Sequence, residues 1–541
     1  MRPNRPCRMS DPAQTRPVRK SPWLRGTRSG WLTAAGPVGR AAAITLGLTA
    51  AATPLAAQPL GIEVLDEQTG RGVPLVELTT TGGITLVTDS AGLAAFDEPG
   101  LMNQRVYFEV KSHGYELPPD GFGFRGVTVQ TTPGGWATIR LRRRNIAQRL
   151  YRVTGQGMYR DSVLLGRTPP IRQPLLNAQV IGSDSVVNAV YRGRLYWFWG
   201  DTHRPSYPLG LFHVPGAVSQ LPTDGGLDPA VGVDLDYFVG ADGFARATAQ
   251  MPGEGPTWIS GLAVLPDSRG QERMLCGYVK VRPPLTVYRR GLAQWDEASQ
   301  AFVHVAEFPP DVPLFPDGHA LAVEDQGRRY VGFCNPYPLV RVPAQAESFL
   351  DLAQYEGYTC LAEGQDPLAA TIDRDAQGRP RFAWRRGTRP LDAEIMQKLR
   401  QAGRLAADDL PIDLRDALTG QPVQAHSGSV AWNDFRQRYV LISVQSFGQP
   451  SFLGEVWYAE APTPVGPWRQ AVKVVTHDKY SFYNPKQHPY FSQDGGRYIY
   501  FEGTYTATFS GHDVKTPRYD YNQIMYRLDL SDERLAPAQT P

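Results

Sequence analysis

Cysteine is scarce in this sequence, with four residues among 541. No cysteine pair, and no cysteine with a histidine, has the spacing of a zinc site. Cys7 lies in a segment that we expect to be removed, which leaves Cys276, Cys334 and Cys360. Three cysteines form at most one disulfide, and Cys334–Cys360 is the candidate pair for an oxidising compartment. The pattern otherwise indicates buried structural thiols and excludes a cysteine-histidine zinc module.

Long apolar runs and net charge are also lacking. The chain has 56 basic and 53 acidic residues, and only one apolar run, residues 41–52, approaches membrane-spanning length. A protein with several membrane spans is therefore excluded. No nucleophile elbow, zincin motif, P-loop or dinucleotide fingerprint occurs in its proper context, so the sequence gives no support to a serine hydrolase, zincin, kinase or dehydrogenase.

The start of the chain has the layout of a secretory signal peptide. Nine basic residues and one acid, Asp11, precede or flank the apolar run, and the small residues of 54–57 follow it. We predict a signal peptide over residues 1–57, cut near Ala57, and hence a secreted or periplasmic protein. Met9 is an alternative start, and an uncleaved membrane anchor is the alternative interpretation. Without this segment the net charge is about −5, which gives no indication of nucleic-acid binding.

What is plentiful is turn-forming and aromatic residues: 54 Gly, 47 Pro, 25 Tyr and 11 Trp. With 42% hydrophobic residues, the chain has enough apolar material for a large core. Many turns combined with many aromatics predict an all-β protein.

Residues 58–145 predict a first, small domain. Short β-branched runs alternate with turns at Thr69-Gly70, 89–92 and His113-Gly114. Period-two alternation with a turn every eight to twelve residues is typical of a small antiparallel β-sandwich. The order of segments 64–76, 88–96 and 113–115 resembles carboxypeptidase-regulatory-like domains. That resemblance implies a transthyretin-like sandwich without catalytic function, serving stability or attachment.

Residues 146–535 contain a repeated pattern: a polar residue, an apolar strand, a turn, a second apolar strand and another polar residue. The five instances cover residues 184–201, 258–280, 319–335, 426–445 and 488–502. Repeated hairpins of this kind predict a five-bladed β-propeller. Residues 391–418 have a helical pattern and are interpreted as an insertion.

In a propeller, the first strand of each blade lines the axis, so the polar residues that begin or end the hairpins converge on one face. We call this predicted face the funnel. The residues predicted to meet there are Asp184, Asp201, His319, Asn335, His426, His488 and Glu502.

The first hairpin predicts a pair of carboxylates. If Arg192-Gly193 is a two-residue turn, Tyr191 pairs with Arg194, and the same register places Asp184 opposite Asp201. Directly paired residues have Cβ atoms about 4.5–5.5 Å apart. Two acids this close repel, which raises one pKa and separates an acid form from a base form. The alternatives are that both residues cap strand ends or that they hold Ca²⁺.

Segments 180–185, 195–202 and 454–468 resemble five-bladed propeller glycoside hydrolases. The resemblance is to the domain-of-unknown-function group that includes bacterial endo-D-arabinanases, and more distantly to family 43 arabinanases and xylosidases. It implies that Asp184 and Asp201 are catalytic, with Asp201 as the nucleophile. Retaining glycosidases hold their two carboxyls about 5–5.5 Å apart, which matches the predicted register.

Other residues complete the predicted site. Glu502 is a candidate third catalytic carboxyl, with a structural His488–Glu502 pair as the alternative. His319, His426, His488 and Asn335 are candidate sugar ligands because of their shared position, and Trp258 and Tyr505 are candidates to stack on sugar rings, although core packing is the usual role of such rings.

The sequence therefore predicts a secreted glycoside hydrolase that cleaves arabinose-like or related polysaccharide. The alternatives are a non-catalytic propeller that binds glycans or proteins, and a polysaccharide lyase using His or Tyr as base. No cofactor and no catalytic metal are expected, and a structural Ca²⁺ is left open. The expected partner is a polysaccharide or oligosaccharide.

Overall fold

The computed structural model describes residues 58–362 and 366–539. The predicted signal peptide, residues 1–57, lies outside the described residues. The chain divides into a unit of residues 1–55 and a unit of residues 56–541, and the second contains every element given below. This unit is mainly β, as the composition predicts.

Two four-stranded sheets form the N-terminal part of this unit, in the orders β4-β1-β8-β6 and β3-β2-β5-β7. They share one apolar cluster that includes Ile62, Leu78 and Phe108. The strands are β1 (Leu60–Asp66), β2 (Glu77–Thr80), β3 (Thr85–Val87), β4 (Leu93–Phe96), β5 (Arg105–Lys111), β6 (Tyr115–Glu116), β7 (Gly126–Gln130) and β8 (Trp136–Arg143).

The first half of the remaining chain forms two four-stranded sheets and one small three-stranded sheet, β10-β13-β14. The four-stranded sheets have the orders β11-β12-β15-β16 and β17-β18-β19-β20. The elements are β9 (Gln148–Arg152), α1 (Arg160–Leu164), β10 (Gly182–Ser183), β11 (Val186–Tyr191), β12 (Arg194–Trp199), β13 (Thr202–Arg204), β14 (Tyr207–Leu211), β15 (Gly216–Ser219), β16 (Asp236–Tyr237), β17 (Thr257–Pro266), β18 (Glu272–Arg282), β19 (Thr286–Asp296) and β20 (Ala301–Phe308), with a 3₁₀ helix at Pro222–Asp224.

Two five-stranded sheets and one four-stranded sheet follow, in the orders β21-β22-β23-β24-β25, β26-β30-β29-β28-β27 and β31-β32-β33-β9. Their elements are β21 (His319–Asp325), β22 (Arg328–Cys334), β23 (Pro338–Pro343), α2 (Ala346–Phe349), β24 (Glu356–Thr359), β25 (Ala383–Arg386), α3 (Ala393–Gln401), β26 (Ile412–Asp416), β27 (Ala425–Asn433), β28 (Arg438–Gln445), β29 (Val456–Ala461), β30 (Trp468–Val475), β31 (Ser481–Gln487), β32 (Tyr498–Thr506) and β33 (Asn522–Asp529). The 3₁₀ helices are Leu352–Gln354, Ala407–Asp409, Pro489–Phe491, Asp494–Gly496 and Glu533–Ala538.

One strand of each of the five large sheets contributes to a ring of contacts. Strands β11, β17, β21, β27 and β31 each contact the next, and β31 also contacts β11. Strand β9 completes the last sheet by pairing antiparallel with β33, so residues near 150 and residues near 525 share one sheet. The ring gives the five inner strands a common axis.

Four of the five predicted hairpins lie where the pattern places them, and the fifth does not. Its inner strand is β31, which ends at Gln487, and residues 489–491 form a 3₁₀ helix. The prediction that His488 begins an inner strand is therefore wrong. Pro489 has no backbone donor for a sheet and suits the first position of a helical turn, which explains why the strand ends before it.

The helical pattern in residues 391–418 is confirmed by α3. The Asp392 carboxylate caps this helix by accepting a hydrogen bond from the Ile395 amide at 2.8 Å. The interpretation of the cysteines as buried structural thiols is confirmed, since Cys276, Cys334 and Cys360 are all free and buried, and the candidate Cys334–Cys360 bridge does not form.

The N-terminal sheets pack directly on the five-sheet part. The Tyr519 hydroxyl donates to the Thr88 carbonyl at 2.6 Å, and it accepts from the Leu75 amide at 3.2 Å. His113 Nε2 lies 2.7 Å from the Tyr505 hydroxyl, across the same interface. The interface is therefore built from buried polar contacts as well as apolar packing. Among the described residues, no helix is long and apolar enough to cross a membrane.

Candidate active site

The register of the first hairpin is the one that the sequence predicts. Tyr191 pairs with Arg194, Val186 pairs with Trp199, and beyond them Ser183 pairs with Thr202. The turn residues Arg192 and Gly193 have φ of 49° and 74°, as a type I′ turn requires. Because the register is the same before and after the two aspartates, Asp184 and Asp201 lie opposite one another.

The backbone bends between the two paired segments without adding a residue. Ser185 has a φ of 27°, and the Gly200 amide reaches the carbonyls of both Asp184 and Ser185, at 2.9 and 3.2 Å. The Asp184 amide donates to the Asp201 carbonyl at 3.0 Å. This local bend holds the two aspartates side by side at the end of the hairpin.

Asp184 is held by hydroxyl donors. The Ser185 hydroxyl donates to one carboxylate oxygen, and the Tyr521 hydroxyl donates to the other at 3.1 Å. Burial raises the pKa of Asp184, while the hydroxyls of Ser185, Tyr483 and Tyr521 oppose that rise by stabilising the charged form. Asn484 Nδ2 donates to Ser185 Oγ at 2.6 Å and fixes that hydroxyl. Asp184 is thus the better supported anion of the pair.

Asp201 has fewer donors. Trp258 Nε1 donates to its Oδ1 at 3.3 Å. Burial, followed by the charge of Asp184, raises the pKa of Asp201 to about 6. Burial thus raises the pKa of both carboxyls, and they differ in their donors, two hydroxyls for Asp184 and one indole for Asp201.

Replacing Trp258 by Phe is expected to raise the pKa of Asp201 further. The indole bond stabilises the ionised carboxylate, and a bond of this kind contributes about 0.5–1.5 kcal/mol, or roughly half to one pKa unit. The measurement is the pKa of the Asp201 carboxyl, followed by NMR titration of wild type and W258F.

Trp432→Phe is the matched control for that experiment. Trp432 Nε1 also bonds an aspartate, Asp434, at 2.9 Å, but at the turn between β27 and β28. We expect no shift of the Asp201 pKa in W432F. An equal shift in both variants, or none in W258F, would contradict the role of the Trp258 bond in setting the pKa of Asp201.

A third carboxylate, Asp317, belongs to this face and is absent from the sequence prediction. Ser260 Oγ donates to its Oδ1 at 2.8 Å and Asn335 Nδ2 donates to its Oδ2 at 3.1 Å. Ser260 and Trp258 lie two residues apart and therefore on the same face of β17. Asp201 and Asp317 are thus linked through neighbouring side chains of one strand. Asp317 lies two residues before the start of β21, just as Asp184 lies two residues before the start of β11. This equal spacing is the sequence signal that could have identified Asp317.

The other predicted funnel residues separate into two groups. Asn335 is exposed beside Asp317, and His426 is exposed at the start of β27, with Nδ1 3.2 Å from Ser427 Oγ. His319 lies at the start of β21 and lines a cavity formed with β11 and β17. Among the described residues, only Asn335 of these three contacts a carboxylate of this face, and the convergence of the others stays a prediction.

Glu502 and His488 lie elsewhere. Glu502 is fully buried in the middle of β32, opposite Lys486, and its Oε1 is 3.7 Å from His488 Nε2. Burial raises the pKa of Glu502 to about 8, an effect that Lys486 opposes. The prediction that Glu502 ends a strand at the funnel is wrong, because β32 continues to Thr506.

Tyr505 is also placed away from the aspartates. Its side chain is fully buried, and its hydroxyl contacts His113 and Thr516, the latter at 3.1 Å. It therefore stabilises the interface with the N-terminal sheets, and it has no surface for a sugar ring. Within residues 58–362 and 366–539, no group of three or more His, Cys, Asp or Glu is arranged to hold a metal ion.

Comparison with known proteins gives weak likenesses. No protein-family model and no curated protein matches the chain. Among solved structures, an exo-β-1,3-galactanase from Phanerochaete chrysosporium is 10% identical with a TM-score of 0.34, covering 65% of this chain, which spans only 61% of the length of that enzyme. An exo-1,5-α-L-arabinanase from a bovine ruminal metagenomic library is 10% identical, with a TM-score of 0.31 over 65% of this chain and 94% of that one.

A third similar structure is an α-L-arabinanase from Penicillium chrysogenum complexed with arabinobiose. It is 12% identical, with a TM-score of 0.31 over 71% of this chain and 99% of that one. Likenesses this weak establish neither family nor activity.

Proposed function

We propose that the protein is a secreted or periplasmic glycoside hydrolase that cleaves arabinose-like or related polysaccharide with Asp184 and Asp201. The observation that carries the proposal is the carboxylate pair itself. The two acids are opposite neighbours on one hairpin, and different donors contact them, two hydroxyls for Asp184 and one indole for Asp201. Glycosidic cleavage needs such a pair, one carboxyl to protonate the leaving oxygen and one to act at the anomeric carbon.

The five large sheets are, in this proposal, the blades of a five-bladed propeller. The contact ring of β11, β17, β21, β27 and β31 and the closure of the last sheet by β9 support this architecture. The two N-terminal sheets would form a carboxypeptidase-regulatory-like sandwich that stabilises or attaches the catalytic part. Residues 1–57 would direct export, with cleavage near Ala57.

We assign Asp201 as the proton donor and Asp184 as the anion. A carboxyl with a pKa of about 6 keeps its proton in mildly acidic solution and can pass it to the leaving oxygen. Burial raises the pKa of Asp184 as well, but the hydroxyls of Ser185 and Tyr521 donate to its carboxylate and favour the anion that attacks the anomeric carbon. This assignment is the reverse of the one that the family resemblance implies, in which Asp201 is the nucleophile.

The separation of the pair favours retention of configuration. Directly paired residues have Cβ atoms about 4.5–5.5 Å apart, close to the roughly 5–5.5 Å between the carboxyls of retaining enzymes. Asp184 would form a glycosyl ester as the leaving sugar takes the proton of Asp201. Water would then cleave the ester, with Asp201 accepting its proton.

The experiment is sugar release from a panel of arabinans, xylans and acidic polysaccharides by wild type and Asp184→Asn. We expect release by the wild type, products of retained configuration by NMR, and a loss of at least a hundredfold in D184N, because general acid–base or nucleophilic groups contribute about 10²–10⁴. Unsaturated products that absorb in the ultraviolet would instead indicate a lyase. Glycan binding without any release would indicate a non-catalytic propeller.

A further inference from the structure

A cavity of about 580 Å³ lies along the axis of the inner strands, apart from the carboxylate pair. Residues of β11, β17, β21 and β22 and the segment around Lys486 and Tyr490 form its walls. Ala320, Ala322 and Glu324 alternate along β21 and are exposed, so the cavity is open to solvent. Neither Asp184 nor Asp201 lines it.

Most of the lining is apolar. Leu262, Val264, Ala322 and Val331 belong to these walls, and apolar atoms contribute more of the exposed lining than polar atoms do. Such a cavity favours a ligand with an apolar body.

One buried cation faces this apolar space. Lys486 is 7% exposed, and its ammonium donates to the Gln487 carbonyl at 3.2 Å. Among the described residues, no carboxylate lies within ion-pair distance of that ammonium. Burial lowers the pKa of Lys486 to about 8, so most of its population is charged at neutral pH. A buried charge without a counter-charge is costly, which indicates that an anion would be stabilising here.

The groups around Lys486 have unused hydrogen-bonding capacity. Neither oxygen of Glu502 nor His488 Nε2 has a hydrogen-bond partner in the described part of the chain, and both side chains are almost completely buried. Glu502 has a pKa raised to about 8 by burial, and is therefore mostly a neutral donor at neutral pH. His488 on the other side is held by Asn188 and Tyr490 through Nδ1, at 3.2 and 3.0 Å. Glu502 is paired with Lys486 across β31 and β32, and its charge raises the pKa of Lys486, but its oxygens lie beyond ion-pair distance of the ammonium.

We propose that the axial cavity binds a small organic carboxylate, with its anionic group on Lys486 Nζ and its apolar body against β17 and β21. A single negative charge matches the one buried cation of the lining, since Arg329, which also lines the cavity, is exposed to water. A dianion such as phosphate would leave a second charge against apolar walls, which is unfavourable. The site does not depend on the proposed hydrolase activity, because it uses none of the catalytic residues.

The test is calorimetric titration of the purified protein at pH 7 with hexanoate, benzoate and inorganic phosphate. We expect saturable binding of one or both organic acids, and affinity at least tenfold weaker in Lys486→Met, which keeps much of the side-chain length but removes the charge. Lys398→Met is the matched control, because Lys398 is an exposed lysine on α3 that pairs with Glu394. The K398M variant should bind the organic acids with the affinity of the wild type.

Ala322→Phe is a second variant that leaves Lys486 in place. Residue 322 is exposed on a strand, where Phe is well tolerated, and the larger ring would fill the apolar part of the cavity. We expect it to weaken binding tenfold or more, which keeps the proposal testable even if K486M does not fold. Absence of binding by the wild type, undiminished binding in A322F, or a preference for phosphate over both organic acids would overturn the proposal.

Discussion

Asp201→Asn is expected to lower the rate of polysaccharide cleavage by about 10²–10⁴, the usual contribution of a positioned proton donor. Asn has the shape of Asp but no proton to give to the leaving oxygen. The indole of Trp258, which donates to Asp201 Oδ1, would keep a carbonyl acceptor in the variant, so the local structure should persist. Initial rates of sugar release by wild type and D201N, with circular dichroism to verify folding, measure the effect.

The pH profile of the wild type supplies an independent readout of the same assignment. The proposed mechanism requires a protonated Asp201, and its pKa is about 6, so the rate should fall about tenfold per unit as pH rises above 6. This alkaline limb should be absent from the residual activity of D201N. Exposed Asp408→Asn is the control and should retain the full rate and the wild-type profile. Equal rates in D201N and wild type would contradict the role of Asp201, and attention would move to Asp317.

His477→Gln is expected to make the free energy of unfolding much less sensitive to acid. His477 is fully buried, stacks on Phe482 with ring centroids 4.4 Å apart, and bonds the Gly454 carbonyl and the Tyr526 hydroxyl at 2.7 and 2.9 Å. Burial lowers its pKa to about 3, with a smaller contribution from Arg149. The folded protein therefore holds His477 neutral.

The sign of the effect follows from this lowered pKa. The unfolded chain protonates this histidine near its ordinary pKa of about 6.5, so its contribution to stability is present above that pH and is lost as pH falls. The loss is about 1.4 kcal/mol per pH unit, or roughly 2 kcal/mol between pH 7 and pH 5. The measurement is the free energy of unfolding in urea at pH 7 and at pH 5. Its decrease between the two pH values should be smaller in H477Q than in wild type, by roughly 2 kcal/mol.

An exposed histidine provides the comparison for that measurement. His304 lies on strand β20 at the surface, and H304Q should reproduce the wild-type difference between pH 7 and pH 5. If H477Q and wild type lose the same free energy on acidification, His477 is not the neutral buried group that its contacts indicate.

The residue pairing of the first hairpin was predictable because a short stretch of sequence determines it. Arg192-Gly193 specifies a two-residue turn, and the turn fixes the register of both strands, so the opposition of Asp184 and Asp201 follows by counting. The helix in the insertion was equally readable, since Asp392 and the apolar spacing that follows it are local signals.

The fifth hairpin was mispredicted because its local signal is misleading. Pro485 and Pro489 make the sequence of β31 look unlike a strand. This strand forms because it pairs with β32, and its own strand propensity is low. Tyr505 was mispredicted for a related reason. Its place between β31 and the N-terminal sheets depends on contacts with His113, nearly 400 residues earlier.

The sequence by itself determined the mainly β fold, the order of its hairpins and the pairing of the two aspartates, because period-two alternation and tight turns act over a few residues. The tertiary structure alone decided that Asp317 joins this face, that Glu502 is buried beside Lys486, and that Asp184 and Asp201 have different surroundings. Those outcomes depend on burial and on hydroxyl donors that come from distant strands. Long-range packing sets the desolvation and the hydrogen bonds that tune each carboxyl, and no local pattern encodes it.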